Sequence, residues 1–365
     1  MAKYEKVKEA VKNAVKLVQK LGKMPSNILT PDRMVKECRK LHKNIHITDI
    51  GEDALDSMGA NLITGVGKGS QEESHLIILE YMNNKDDSPI ALVGKGVTFD
   101  SEGMHEMKMD MLGAATVMAV MKAIAELKIP INIVGVIPTV ENMPDGKAIK
   151  PGDVIKSLSG LTVETHNTDA EGRLILADAL SYAQSLLEEY SFNPPNDIIS
   201  IDTLTAASLY ATGKYFTPRD YGLSAAIFTK DVNQAFHFIE QIETGICYVN
   251  ASTIGAEIQC IGNDQYLIEK IKSAGTTTED YCWQLPMTKE MEKEVKGTKG
   301  VADLKNITSK PGTGTITAAV FLSQFVKDYT WAHLDIATTG SEGKPTGRGI
   351  KLLIEFLIEY SKERK

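Results

Sequence analysis

The segment that decides the fold spans residues 90–137 and reads IALVGKGVTFDSEGMHEMKMDMLGAATVMAVMKAIAELKIPINIVGVI. Its two ends, IALV (90–93) and INIVGVI (131–137), are short apolar runs typical of buried strands. The longer apolar stretch between them, residues 111–127, is typical of a helix. The segment therefore predicts two strands with a helix between them.

The same alternation continues on both sides of this segment. Apolar runs at 75–81 (HLIILEY) and 197–201 (DIISI) predict further strands, and residues 172–187 predict a helix. Strands that alternate with helices indicate an α/β fold. We expect a central mixed, mostly parallel sheet flanked by helices on both faces.

The N-terminal region predicts two helices. Over residues 3–21 apolar side chains recur on one face with lysines opposite them, and Gly22 ends the pattern. The start signal Thr30-Pro31-Asp32 predicts a second helix that runs to about His42. We divide the chain into a lead-in helix, residues 1–24, and one large domain, residues 25–365.

Composition excludes several classes of protein. The chain has 365 residues and a net charge of -8, which argues against a nucleic-acid partner because such partners select for basic surfaces. It contains neither an uninterrupted apolar run of about 18 residues nor an apolar signal-peptide core, so we expect no membrane association. Four cysteines without a CxxC pair suit reduced thiols, and we expect a cytoplasmic protein.

The first segment with candidate catalytic residues is Val93–Ser101 (VGKGVTFDS). Here a strand ends in a glycine-flanked turn that offers Lys95 and Asp100. Catalytic groups of α/β sheets favour the carboxyl ends of strands. The alternative, at even odds for this segment alone, is an ordinary turn with a solvated lysine and a capping aspartate.

A second segment, Met107–Ala115 (MKMDMLGAA), places Asp110 at the start of an apolar helix. Taken alone, this aspartate is better interpreted as a helix N-cap, a position that aspartate fills well.

The third segment is Asn167–Leu174 (NTDAEGRL), in which Asp169, Glu171 and Arg173 alternate. If the segment is extended, all three side chains project to one side. Clustered like charges are unfavourable unless a cation shares them, and carboxylates suit divalent metals. A surface salt-bridge strip is the weaker alternative.

Together, and in this order, the three segments resemble the M17 leucyl aminopeptidase family, whose signature is the octapeptide NTDAEGRL. Segments that resemble family sequences extend over nearly the whole chain, for example at 141–154 (ENMPDGKAIKPGDV), 331–337 (WAHLDIA) and 345–353 (PTGRGIKLL). The resemblance implies the three-layer architecture of the zinc exopeptidases. It also implies release of N-terminal, preferably leucine-like, residues from short peptides.

By motif position, the resemblance assigns a role to ten residues. It implies two divalent ions, with Zn²⁺ or Mn²⁺ favoured over Mg²⁺ or Co²⁺, a metal-bound hydroxide as nucleophile, and a bicarbonate that acts as general base. The implied metal ligands are Lys95, Asp100, Asp110, Asp169 and Glu171. The implied bicarbonate-binding residue is Arg173, and the implied pocket residues are Met107, Thr203, Ala206 and Ala337.

This sequence also departs from the family pattern. Only nine residues separate Asp100 from Asp110, and the catalytic lysine expected between them has no clear counterpart. That lysine stabilises the oxyanion, and loss of one such donor typically costs about 10²–10³ in rate. His105 or Lys108 is a hypothetical substitute, although Lys108 better matches another family position that faces away from the site.

Other departures flank the pocket. Asp202 stands where the family has a small residue, Ala206 where it has glycine, and Thr338 where glycine is usual. The family's N-terminal domain, which in some members helps to bind DNA, has no counterpart in the sequence. The resemblance further implies a homo-oligomer, with a hexamer expected.

Two hypotheses remain open. The first is an active metallo-aminopeptidase with a shortened loop. The second is a metal-binding pseudoenzyme with a structural or assembly role, which the missing lysine suggests. Retention of the five ligand positions and of Arg173 favours the first hypothesis.

Overall fold

The computed structural model describes residues 2–84, 87–190, 197–204, 222–227, 244–249, 258–308, 314–326, 328–341 and 343–364. The α-helices in these ranges are α1 (Ala2–Lys23), α2 (Pro31–Cys38), α3 (Glu52–Met58), α4 (Asn61–Gly67), α5 (Leu112–Leu127), α6 (Gly172–Tyr190), α7 (Gln265–Thr278), α8 (Lys289–Glu292), α9 (Gly314–Ser323), α10 (Ala337–Gly340) and α11 (Ile350–Glu363). Two 3₁₀ helices span Ser101–Met109 and Lys293–Val295.

The described strands are β1 (His46–Gly51), β2 (His75–Met82), β3 (Ile90–Gly94), β4 (Gly96–Asp100), β5 (Asn132–Asn142), β6 (Val154–Lys156), β7 (Thr162–Glu164), β8 (Asp197–Asp202), β9 (Gly222–Ile227), β10 (Thr244–Val249), β11 (Ile258–Gly262), β12 (Cys282–Gln284), β13 (Leu304–Lys305) and β14 (Thr330–Asp335). The main sheet has nine strands in the order β1-β2-β5-β3-β8-β14-β11-β12, and β4 also pairs with β5. Its centre, β5-β3-β8-β14, is parallel, whereas β1, β2 and the β11–β14 pair are antiparallel. The predicted mixed, mostly parallel sheet is therefore confirmed.

Two hydrophobic cores cover the two faces of this sheet. One contains the buried side of α1, α2, α5, α7 and α11, and the other that of α3, α4, α6 and α9. Along β3, Ile90 and Leu92 belong to the first core, whereas Ala91 and Val93 belong to the second. Successive strand residues point to opposite faces, so a strand buried on both faces is apolar throughout. The predicted helix layers on both faces are confirmed.

Most predicted elements form where the sequence placed them, with three differences. Helix α2 stops at Cys38 rather than near His42, although it begins as predicted, with the Thr30 Oγ1 accepting from the Arg33 N–H at 3.3 Å. Gly96–Asp100, interpreted as a turn, is strand β4 and pairs with β5. Strand β5 continues beyond Ile137 to Asn142, which carries its end to the site described below.

Helix α1 packs its apolar face on α5, within the same core. The buried face of α1 matches the predicted apolar periodicity, since Ala10, Ala14, Val18 and Leu21 are all buried. Among the helices in the described ranges, none combines the length and the apolar character needed to cross a bilayer.

Candidate metal centre

The candidate site lies where the parallel strands at the middle of the sheet end. Lys95 follows β3, Asp100 ends β4, Asn142 ends β5 and Thr203 follows β8. Carboxyl ends of parallel strands meet at one edge of a sheet, and ligands of α/β proteins bind there. The tertiary fold thus brings together residues that are up to 108 positions apart, such as Lys95 and Thr203.

Lys95 is the centre of this arrangement. Its Nζ lies 2.7 Å from Asp110 Oδ1 and 2.8 Å from Glu171 Oε1, and it donates to the Thr203 carbonyl at 3.3 Å. The side chain is 4% exposed. A solvated lysine, the alternative interpretation of this segment, is therefore wrong.

Two further carboxylates, those of Asp100 and Asp169, converge with Glu171 beside Lys95. Asp100, Asp169 and Glu171 each offer an oxygen, and these three atoms lie within 4.8 Å of one another. Asp100 and Glu171 are buried, whereas Asp169 is exposed. The structure therefore brings together all five residues to which the family resemblance gives a ligand role.

Asp110 does not cap a helix. Helix α5 starts at Leu112, and Met111 occupies the N-cap position without a side-chain hydrogen bond. Asp110 Oδ1 instead accepts from Lys95 Nζ and, at 2.8 Å, from the Thr203 hydroxyl. The N-cap interpretation is wrong because the carboxylate points into the site.

The signature loop is not extended, so the argument that three alternating side chains share one side is also wrong. Residues 168–169 form a turn, and α6 begins at Gly172. Asp169 and Glu171 nevertheless meet because the turn folds the loop back on itself. The sequence pattern correctly predicted that Asp169 and Glu171 lie in one cluster, but the extended backbone from which this was argued is wrong.

Asn306 holds this loop in place, a role that the sequence did not reveal. Its Oδ1 accepts from the N–H groups of His166 and Asn167 at 2.8 and 3.3 Å. Its Nδ2 donates to the carbonyls of Asn167 and Ala170 at 2.6 and 3.4 Å. Asn306 is 0% exposed. The local sequence, Asn-Ile-Thr, carries no signal for this role.

Arg173 and Asn142 complete the framework of the loop. The Arg173 guanidinium donates to the Asn306 carbonyl at 2.8 Å, while its buried Nε has no hydrogen-bond partner within the described ranges.

Asn142 Nδ2 donates to Asp100 Oδ1 and to the Thr168 carbonyl, both at 3.1 Å. Asn142 therefore ties β4 to the signature loop. It lies in the family-like segment 141–154, but nothing in its type or spacing predicted this contact.

Burial and charge shift the pKa values of these groups. Burial alone would lower the pKa of Lys95, but Asp110 and Glu171 outweigh it, so the pKa is raised and the amine is protonated in the absence of metal. Burial raises the pKa of Asp110 well above its usual value, and Lys95 only partly offsets this. Burial also lowers the pKa of Arg173 to about 10, against the influence of four nearby carboxylates.

The pocket residues implied by the resemblance are spread around this centre. Met107 lies on the 3₁₀ helix, Thr203 follows β8 and Ala337 begins α10; all three are half-buried. Ala206 lies outside the described residues. Among the described pocket residues, Thr203 bonds to Lys95 and Asp110, and the Met107 carbonyl accepts from the Asp110 N–H at 3.3 Å.

The short connection between Asp100 and Asp110 forms the nine-residue 3₁₀ helix Ser101–Met109. Lys108 lies in its last turn and is half-buried. The side chain of His105, the other hypothetical substitute for the missing lysine, lies outside the described residues.

A second cluster lies beside the first. Asp202, His333 and Asp335 each offer one potential ligand atom, and these atoms lie within 4.8 Å of one another. His333 is 0% exposed, and burial, helped by Arg173, lowers its pKa to about 3. Its Nε2 has no hydrogen-bond partner among the described residues.

The first cluster fits divalent cations. It gathers four carboxylates around one amine, and the buried Asp110 Oδ2 has no hydrogen-bond partner in the described part of the chain. Buried carboxylates in this number are unfavourable unless cations share them. Oxygen ligands with one amine suit zinc and manganese as well as magnesium.

Comparison with known proteins identifies a related family. The sequence profile described as "Cytosol aminopeptidase family, catalytic domain" matches residues 16–228 and 244–354. A profile of the aldehyde dehydrogenase family matches residues 214–265 only, and most of that range lies outside the described residues.

Similar proteins carry related names. A "Probable cytosol aminopeptidase" of Nitrosomonas europaea is 40% identical over 96% of this chain and 63% of its own length. One of Chromobacterium violaceum is 39% identical over 95% of this chain and 60% of its own length. The chain thus spans about three fifths of the length of these relatives.

A solved structure is also similar. The "Bottromycin maturation enzyme BotP" superposes with a TM-score of 0.77 at 30% identity, covering 97% of this chain and 70% of that one. The profile match covers most of the chain and includes every residue of the first cluster. The chain therefore belongs to the cytosol aminopeptidase family and corresponds to its catalytic domain.

Proposed function

We propose that the protein is a binuclear metal-dependent aminopeptidase that releases N-terminal, preferably leucine-like, residues from short peptides. The observation that carries this proposal is the convergence of Lys95 and four carboxylates at one sheet edge. Names of similar proteins support the same reaction class.

In this proposal Lys95, Asp100, Asp110, Asp169 and Glu171 hold two divalent ions, Zn²⁺ or Mn²⁺ in preference to Mg²⁺ or Co²⁺. Such ions polarise the scissile carbonyl and lower the pKa of bound water. Lys95 must lose its proton to bind, although its contacts with Asp110 and Glu171 raise its pKa without metal. Thr203 holds both Lys95 and Asp110 in place through two hydrogen bonds.

Arg173 is proposed to hold a bicarbonate that acts as general base. Its terminal nitrogen is fixed by the Asn306 carbonyl, which leaves the buried Nε without a described partner. An unpaired buried N–H of a guanidinium suits an anion because guanidinium binds planar carboxylate-like groups. Arg173 thereby orients a proton acceptor at the start of α6.

Met107, Thr203, Ala206 and Ala337 are proposed to line the pocket for the first side chain. Alanine and methionine surfaces favour apolar side chains such as leucine, since burial of apolar area is favourable. We infer a homo-oligomer as the working form, with a hexamer expected, and cytoplasmic peptides as substrates. Light scattering of the purified chain tests the assembly.

The reaction is tested by turnover of leucyl-p-nitroanilide and Leu-Gly with added Mn²⁺ or Zn²⁺. Asp169→Ala should abolish turnover, whereas Glu290→Ala, which removes an exposed carboxylate on α8, should leave it unchanged. Equal turnover by the wild type and Asp169→Ala would contradict the proposed site.

A second candidate function is a metal-binding pseudoenzyme with a structural or assembly role. The nine-residue helix between Asp100 and Asp110 favours it, because the family's catalytic lysine has no counterpart there. Two bound metals without turnover would establish this alternative and refute the enzyme. Measurable turnover that falls about 10²–10³ below related enzymes fits an aminopeptidase lacking one oxyanion donor.

A further inference from the structure

The second cluster is built by the register of two neighbouring strands. In the parallel β8–β14 pair, Ser200 lies opposite His333 and Asp202 lies opposite Asp335. Residues two apart on a strand point to the same face. The four side chains therefore share one face of the sheet and are all buried.

The cluster combines one imidazole with two carboxylates. His333 and Asp335 lie on β14, and Asp202 ends β8 and supplies the second carboxylate. An aspartate here adds charge to a site with no exposure to solvent, since Asp202 is 0% exposed.

The protein's own groups leave Asp202 and His333 incompletely bonded. Neither carboxylate oxygen of Asp202 has a hydrogen-bond partner among the described residues, and neither has His333 Nε2. His333 Nδ1 bonds with the Ser200 hydroxyl at 3.0 Å, and Trp331 Nε1 donates to that hydroxyl at 3.1 Å. Buried polar groups without partners are unfavourable and rare, so they indicate a missing ligand.

Lys95 and Arg173 attract the Asp202 carboxylate through space, but neither donates a hydrogen bond to it. Lys95 Nζ contacts Asp110 and Glu171 instead, and the Arg173 guanidinium donates to the Asn306 carbonyl.

We propose that Asp202, His333 and Asp335 bind a further divalent transition-metal ion, such as Zn²⁺, at a site separate from the five-residue centre. Asp202 Oδ2 lies 3.3 Å from the His333 ring at Nδ1, and one potential ligand atom from each of the three residues lies within 4.8 Å of the others. Metal–ligand bonds of about 2.0–2.2 Å place neighbouring ligands about 3 Å apart. One imidazole and two carboxylates select zinc-type ions over Mg²⁺, which prefers oxygen ligands alone.

This ion would link the carboxyl ends of β8 and β14. Asp202 precedes Thr203, whose hydroxyl bonds to Asp110, and the Ile336 N–H donates to the Asp202 carbonyl at 2.8 Å. The further site would therefore position Thr203 without touching the substrate. This role does not depend on whether the first centre holds one ion or two.

Metal content tests the proposal. Wild-type protein, Asp202→Ala and Asp202→Asn are loaded with Zn²⁺, dialysed, and their zinc is measured per chain by mass spectrometry. We expect both variants to bind one ion fewer than the wild type, whereas Glu290→Ala binds the same number. The isosteric Asp202→Asn gives the same comparison if the alanine variant does not fold.

The ligand type is tested separately with Cu²⁺, which favours sites that contain nitrogen. The five implied ligands of the first centre include no histidine, so pulsed electron paramagnetic resonance should detect a coordinated imidazole from the further site, and a His105→Gln variant checks that His105, the hypothetical substitute near the first centre, does not contribute to the signal. We expect this signal in the wild type and in the exposed-histidine control His166→Gln, and its loss in Asp202→Ala and His333→Gln. Equal zinc content in the wild type and both Asp202 variants, or an imidazole signal that survives His333→Gln, would overturn the proposal.

The two proposals can fail independently. If the first centre is not binuclear, the total zinc content falls, but the difference of one ion between the wild type and the Asp202 variants remains. If the further site does not exist, that difference vanishes while aminopeptidase turnover persists.

Discussion

Gly172 lies against the side chain of Lys95. A Cβ atom built on Gly172 would be 2.3 Å from Lys95 Cε and 2.6 Å from its Nζ. Both distances are far inside van der Waals contact, and the lysine is held on its other sides by Asp110 and Glu171. The glycine of the signature loop is therefore required by the position of the lysine rather than by its own backbone conformation.

We expect Gly172→Ala to displace Lys95 and to weaken metal binding and turnover by about 10²-fold, since a misplacement of about 1 Å can have that effect. Isothermal titration with Mn²⁺ and the Leu-Gly assay measure the change. Gly146→Ala is the matched control, because a Cβ atom there would meet nothing within 4 Å. Equal affinity in the two variants would show that Lys95 tolerates the methyl group.

Replacement of Asn306 should loosen the signature loop. Asn306→Ala removes the acceptor for two N–H groups and the donor to two carbonyls in a fully buried position. Unsatisfied buried groups cost about 1–3 kcal/mol each, so we expect a loss of at least that much in the free energy of unfolding. Urea denaturation measures it. Asn44→Ala, at an exposed position, should have no comparable effect.

Metal binding should release protons. In the metal-free protein Asp110 and Glu171 raise the pKa of Lys95, so the amine must be deprotonated when it becomes a ligand. At pH 7 we expect titrations in buffers of different ionisation enthalpy to show about one proton released from Lys95 per chain. Lys95→Met should remove this release while Lys108→Met retains it. Identical proton release in the two variants would exclude Lys95 as its source.

Asp178 should make stability depend on pH. Its carboxylate accepts from the Leu62, Ile63 and Leu158 N–H groups, yet burial outweighs these bonds and raises its pKa from 3.8 to about 7. The folded state therefore binds a proton that the unfolded state has lost between those two pH values. Stability from this group is full below about pH 4 and is lost as pH rises to about 7, by an amount of order 4 kcal/mol.

This dependence is measured as the difference in the free energy of unfolding between the wild type and Asp178→Asn, with chelator present, from pH 4 to 8. We expect the wild type to lose stability relative to the variant across that range. A constant difference would mean that Asp178 has the same charge in the folded and unfolded states.

Strand and helix positions could largely be predicted because they depend on local apolar patterns. The uninterrupted apolar run of β3 predicts its burial on both faces. The apolar periodicity of residues 3–21 predicts helix α1 and its buried face. Strand β4 was missed because its sequence, GVTFD, contains a glycine and polar residues that suit a turn equally well. It becomes a strand only because β5 extends far enough to pair with it.

Some residues of the candidate site could be predicted from local motifs, whereas others could not because they depend on contacts between distant segments. Lys95, Asp100, Asp110, Asp169 and Glu171 were recognised through motifs, and each motif alone also suited a cap or a solvated turn. The interpretations of Lys95 as solvated and Asp110 as a cap are wrong because both side chains are buried and bond to each other. Asn142 and Asn306 were missed because their partners lie on segments distant in the chain.

By itself the sequence determined the family, the order of the strands and helices, and the chemical types available at the site. Those properties depend on residue type, short-range periodicity and motif order. Only the tertiary structure decided which side chains meet, because contacts across neighbouring parallel strands depend on sheet order and register. Asp202 and Asp335, 133 positions apart in the chain, become neighbours only when β8 pairs with β14.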